Sequence, residues 1–138
     1  MSSEKRRKYK RIEVSLNVQI ETVFPEETFQ PKMKGGRTLN VSEQGMKIRM
    51  SDVSESFYKK MLSPIRYAKI GFTLPTTNKR RVLHGKMVWL DYDSQKHECI
   101  FGICFETITP EDQRAMREYI EMLEEKKVSS IEADQIHR

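Results

Sequence analysis

From Ile12 onward apolar and polar positions alternate, with Ile12, Val14, Leu16, Val18 and Ile20 spaced two apart and Phe24 beyond them. Period two over this length predicts one half-buried strand that begins at Ile12. Residues 24–37, "FPEETFQPKMKGGR", are rich in Pro and Gly and predict a loop. Two short strands follow, "RTLNV" and "MKIRM", around an expected turn at "NVSEQG"; Met46, Ile48 and Met50 alternate with Lys47 and Arg49, so one face of the second is wet. "SDVSESFYKKMLSP" predicts a short helical turn closed by Pro64. "YAKIGFTLP", "VLHGKMVWLDY" and "CIFGICFE" read as further strands, joined by turns at "TTNKRR" and "DSQKHE". In the longest of them Leu83, Met87 and Trp89 are expected on one face, and Gly85 points to a bulge or a close backbone approach.

The period then changes. In "TPEDQRAMREYIEML" Thr109 suits an N-cap, Pro110 the first helical position and Asp112 the N3 position. Met116, Tyr119, Ile120 and Leu123 fall on one helical stripe, expected to cover the barrel end, and the polar segment from "EEKK" to Arg138 is expected to fray. About six strands followed by one helix predict a small antiparallel barrel with the helix packed on it. The expected organisation is a flexible basic arm over residues 1–11, the barrel and helix over 12–127, and a polar tail over 128–138.

Composition changes this picture at one place. The chain has 138 residues, enough for one domain, and a net charge of +5. Residues 4–11 alone carry Lys5, Arg6, Arg7, Lys8, Lys10 and Arg11 against Glu4, and the remainder holds equal numbers of basic and acidic residues. A neutral body with one cationic segment argues for a focused anion site and against an extended nucleic-acid-binding surface. Nothing approaches the roughly 20 apolar residues of a membrane span, and the basic start lacks a signal-peptide core, so the expected compartment is the cytoplasm. Cys99 and Cys104 lie five apart in one strand and point to opposite faces, which reads as two free thiols. His84, His97 and His137 show no ligand spacing, no catalytic set is apparent, and no metal or cofactor is expected.

Two motifs remain. Arg7 and Arg11 form RxxxR, which any Arg-rich arm can supply by accident. Asn40, Ser42 and Gly45 form NxSxxG, where Asn and Ser favour a side-chain-stabilised turn and Gly45 permits a positive φ. Taken alone, the first reads as a solvated basic arm and the second as an ordinary strand-to-strand turn. Together, in this order, they resemble the PilZ domain, a cytoplasmic bacterial receptor for cyclic di-GMP. "GKMVW" (residues 85–89) and "FGICFE" (residues 101–106) add to the likeness, which covers most of the chain.

The resemblance implies a mainly β fold, a six-stranded antiparallel β-barrel with a C-terminal α-helix packed on it. It also implies that Arg7 and Arg11 clamp phosphate and the Hoogsteen edge of guanine, that Asn40 and Ser42 hold a second guanine edge, and that Gly45 shapes the turn. Arg37 is a further candidate for a phosphate or base contact. Many members carry Asp where this chain has Asn40, and an amide offers one oxygen acceptor where a carboxylate offers two. Arg6, directly before RxxxR, goes in the family with an intercalated cyclic di-GMP dimer, so two ligands per protomer are expected. The expected mechanism is a loop switch, in which ligand phosphates draw the arm across the barrel and create a surface for a downstream protein partner. The alternatives are a small nucleic-acid-binding barrel, which needs exposed stacking aromatics such as Tyr9 and Tyr92, and a degenerate PilZ module that binds only protein.

Overall fold

The structure is a computed structural model that describes residues 9–23, 32–62 and 66–136. Among the described residues seven strands and two helices follow in the order β1 (Ile12–Glu13), β2 (Asn17–Val23), β3 (Lys32–Val41), β4 (Gly45–Met50), α1 (Glu55–Met61), β5 (Tyr67–Leu74), β6 (Lys79–Asp93), β7 (Glu98–Phe105) and α2 (Pro110–Ile136). All pairings are antiparallel, and the order β3-β2-β5-β6-β7-β4 closes through β3–β4 into a six-stranded barrel. Closure leaves no unpaired edge in the barrel. The expected mainly β barrel with a C-terminal helix is the observed fold.

The alternation read in the sequence builds the interior. Ile20, Ile48, Ile70, Phe72 and Phe101 are essentially inaccessible, and the helix closes over them with Ala115, Met116, Tyr119 and Ile120. Thr109 caps α2 by accepting from the Asp112 N–H at 3.1 Å. The Asp112 carboxylate in turn accepts from the buried Arg81 guanidinium at 2.6 Å, pinning the helix N-terminus to β6. Ser54 caps α1 in the same way, accepting from the Phe57 N–H. Pro64, the expected stop, lies outside the described residues.

Two expectations are corrected. The first strand is interrupted between Glu13 and Asn17, and its register on β3 shifts by one residue across the break. Thr38 stitches that break: its hydroxyl accepts from the Leu16 N–H at 2.8 Å and donates to the Val14 carbonyl. The Gly-rich stretch expected as loop is strand from Lys32 onward, because Gly36 sits where a Cβ would lie 2.8 Å from Ile20 Cδ1 and 2.9 Å from the Arg49 carbonyl oxygen. Helix α2 runs from Pro110 to Ile136, past residue 127.

Candidate ligand-binding site

Two register shifts shape the outer surface of the barrel. One lies in β3 between Thr38 and Asn40, the other in β6 between Met87 and Trp89. Each inserts a residue and reverses which side chains face in. Before the shift in β6, Arg81, Leu83 and Met87 point inward; after it Trp89 is 41% exposed. The expected grouping of Trp89 with Leu83 and Met87 is therefore wrong, and the bulge is the reason. Likewise Thr38 is buried, whereas Asn40 reaches the surface.

The two turned-out residues end one cross-strand row. Asn40 pairs with Lys47, Lys47 with Gly102, and Gly102 with Trp89, across β3, β4, β7 and β6. Gly102 leaves room at the centre: a Cβ there would lie 2.3 Å from Trp89 Nε1, so the indole rests on the bare backbone. The Lys47 ammonium sits 5.7 Å from the centre of the same ring, within cation–π range.

β1 brings the arm to this row. Ile12 pairs with Val41 and Glu13 with Asn40, which sets Arg11 beside the turn that follows β3. A cavity of about 210 Å³ opens there, lined by Tyr9 and Arg11, by Asn40, Ser42 and Gly45, and by Lys47, Val88 and Trp89. Among the described residues its lining holds two cationic side chains and no carboxylate. Among the described residues no carboxylate pairs with Arg11. The arrangement offers a guanidinium, an amide and an indole face around one opening, suited to a planar, hydrogen-bonding, anionic ligand.

The turn is built by Ser42. Its hydroxyl accepts from the Gln44 and Gly45 N–H groups at 3.2 and 3.1 Å and donates to the Gly45 carbonyl at 3.3 Å. Gly45 does not take the positive φ expected of it. It is required by proximity instead, since a Cβ there would lie 2.2 Å from the Ile103 carbonyl oxygen.

A family model for the PilZ domain matches residues 5–122. This chain belongs to the PilZ domain family. Its fold is similar to that of the Bacillus subtilis inhibitor of motility MotI/DgrA (TM-score 0.63, 20% identity, 88% of this chain). This PilZ domain spans about half of that protein, 53% of its length. It is also similar to the PilZ domain of YcgR from Escherichia coli, solved with c-di-GMP (TM-score 0.65, 14% identity, 92% of this chain and 98% of that one). No curated protein sequence matches it.

Of the expected site residues, this PilZ domain brings Arg11, Asn40, Ser42 and Gly45 to one cavity. Arg6 and Arg7 lie outside the described residues. Arg37 does not line the cavity; it faces the break between β1 and β2 and donates to Ser15 Oγ at 3.1 Å. Tyr92 is no free platform either: it stacks on Tyr58 with ring centres 4.5 Å apart and donates to the Val53 carbonyl. Trp89 and Lys47 were missed. The available signal was Gly102, a glycine inside a strand, which announces a close approach by something bulky.

Proposed function

We propose that this PilZ domain is a cyclic di-GMP receptor, and that the ligand docks on the row from Asn40 to Trp89 with one guanine in the cavity. The carrying observation is the convergence of Arg11, Asn40 and the Ser42 turn on one opening that no carboxylate lines among the described residues. Family membership and the c-di-GMP-bound YcgR domain support the choice of ligand. At about 210 Å³ the cavity lies below the usual range for enclosing a drug-sized ligand. A dinucleotide must therefore extend outside it and be covered by something else. Arg7, four residues before Arg11, is the group we assign to that cover, with Arg6 favouring a second, intercalated ligand.

The roles follow from chemistry. A guanidinium forks onto phosphate or onto guanine O6 and N7. Asn40 donates to and accepts from a base edge. Ser42 acts by holding the turn, since its hydroxyl is already engaged within it. The indole of Trp89 supplies a stacking face. Ordering the arm costs about 1–2 kcal/mol per residue, so several charge-assisted contacts are needed to offset it. The relocated arm then presents a new surface to a downstream protein partner, and the domain acts as a receptor without catalysis.

Isothermal titration calorimetry with cyclic di-GMP tests this, on the wild type, on Arg7→Ala/Arg11→Ala and on Asn40→Ala, with GMP as control. Saturation at one or two ligands per chain in the wild type, abolished in the double variant, is the expected result. A folded wild type that takes up no cyclic di-GMP would refute the proposal.

A further inference from the structure

Helix α2 carries two stripes. Met116, Tyr119, Ile120 and Leu123 face the barrel. Gln113, Arg117 and Glu124, spaced four and then seven apart, share a neighbouring polar stripe. Each of the three touches one half of the site. Gln113 Nε2 donates to the Tyr9 hydroxyl at 3.4 Å. Glu124 pairs with Lys10 at 3.3 Å. Arg117 Nε donates to Glu43 Oε1 at 2.9 Å.

We infer that the polar stripe of α2 is a brace for the binding site, with Arg117 as its principal positioning residue. This rests on the cyclic di-GMP reading above. Glu43 stands inside the NVSEQG turn, between Ser42 and Gln44. Ser42 fixes that turn from within through the Gln44 and Gly45 N–H groups, and Arg117 fixes it from the helix side. The Glu43 side chain is only 15% exposed, so water screens this pair less than it screens Lys10–Glu124. Tyr9 and Lys10 immediately precede Arg11, and their contacts hold the root of the arm against the same helix. One rigid element thus sets the distance between the arm and the turn. Linkage makes the effect reciprocal: a ligand that fixes arm and turn must also tighten α2.

The test compares Arg117→Ala, Arg117→Lys, the swap Glu43→Arg/Arg117→Glu, and Arg114→Ala as a control of equal charge on the exposed face of α2. Calorimetry with cyclic di-GMP is paired with amide hydrogen exchange of Gln44 and Gly45 in the ligand-free protein. Arg117→Ala should weaken binding roughly two- to fivefold, the range set by a partly screened ion pair. It should also speed exchange at both amides, while Arg117→Lys and the swap recover part of each effect and Arg114→Ala moves neither. Equal behaviour of Arg117→Ala and Arg114→Ala would overturn the brace. So would weaker binding without faster exchange, because long-range charge would then explain it. If the wild type binds no cyclic di-GMP, the receptor reading fails separately, and exchange alone decides the brace: unchanged rates at Gln44 and Gly45 overturn it, faster rates sustain it.

Discussion

Phe101 and Gly102 are chain neighbours on β7, and they define two different regions. Phe101 pairs with Leu90 and is buried in the barrel; Gly102 pairs with Trp89 and underlies the outer cavity. In the interior, strand alternation and the apolar stripes of the two helices place the large side chains, and burial of apolar area supplies the stability. On the cavity wall a glycine and two register shifts turn an indole and an amide outward. The interior is organised to hold together, the row beside it to be available.

Substitution separates the two regions most sharply at their aromatics. Phe101→Ala should cost about 3–5 kcal/mol of stability in urea unfolding, the usual loss for a buried aromatic. Trp89→Ala should change stability by about 1 kcal/mol or less, yet weaken cyclic di-GMP binding by about 1–3 kcal/mol, the worth of a base stacked on an aromatic ring. A Trp89→Ala variant that unfolds like Phe101→Ala would erase the distinction.

Gly45 lies at the boundary, and Gly45→Ala should affect both regions. The added Cβ meets a backbone carbonyl at 2.2 Å, so β4 must move away from β7. The expected loss is about 1–3 kcal/mol of stability, with weaker ligand binding beside it. Gly35, with nothing within 4 Å of a built Cβ, is the control and should tolerate Ala in the same unfolding assay.

The smallest effect concerns the thiols. Cys99 is buried, and desolvation pushes its pKa up to about 11; Cys104 is half-buried and lines the cavity. At mildly alkaline pH, alkylation followed by mass spectrometry should label Cys104 first, and cyclic di-GMP should slow that labelling while leaving Cys99 unreactive in both states. Because the folded protein holds the Cys99 proton more tightly than the unfolded chain does, this thiol favours the fold less as pH rises past about 8.5, the ordinary cysteine value.

The failures of sequence reading cluster where alternation breaks. Leu83 and Met87 face inward as their spacing predicts; Trp89 continues the same spacing and faces out. The extra residue that reverses the parity carries no local signature, since Val88 is an ordinary strand residue. Gly36 read as loop because glycine favours turns, whereas close packing of Ile20 and of the Arg49 carbonyl oxygen demands it in a strand. Arg37 looked available beside NVSEQG, but the interruption between β1 and β2 gives it Ser15 as partner.

By itself the sequence determined the six-stranded count, the capped helix with its apolar stripe, the concentration of charge in residues 4–11 and the NxSxxG turn. These depend on period, capping chemistry and spacing, which act within a few residues. Only the tertiary structure decided that Asn40 and Trp89 share a row, that Gly45 serves proximity rather than a left-handed backbone, and that Arg117 reaches the turn from 74 residues away. Those outcomes depend on barrel closure and on the register of strands distant in sequence, which no local pattern encodes.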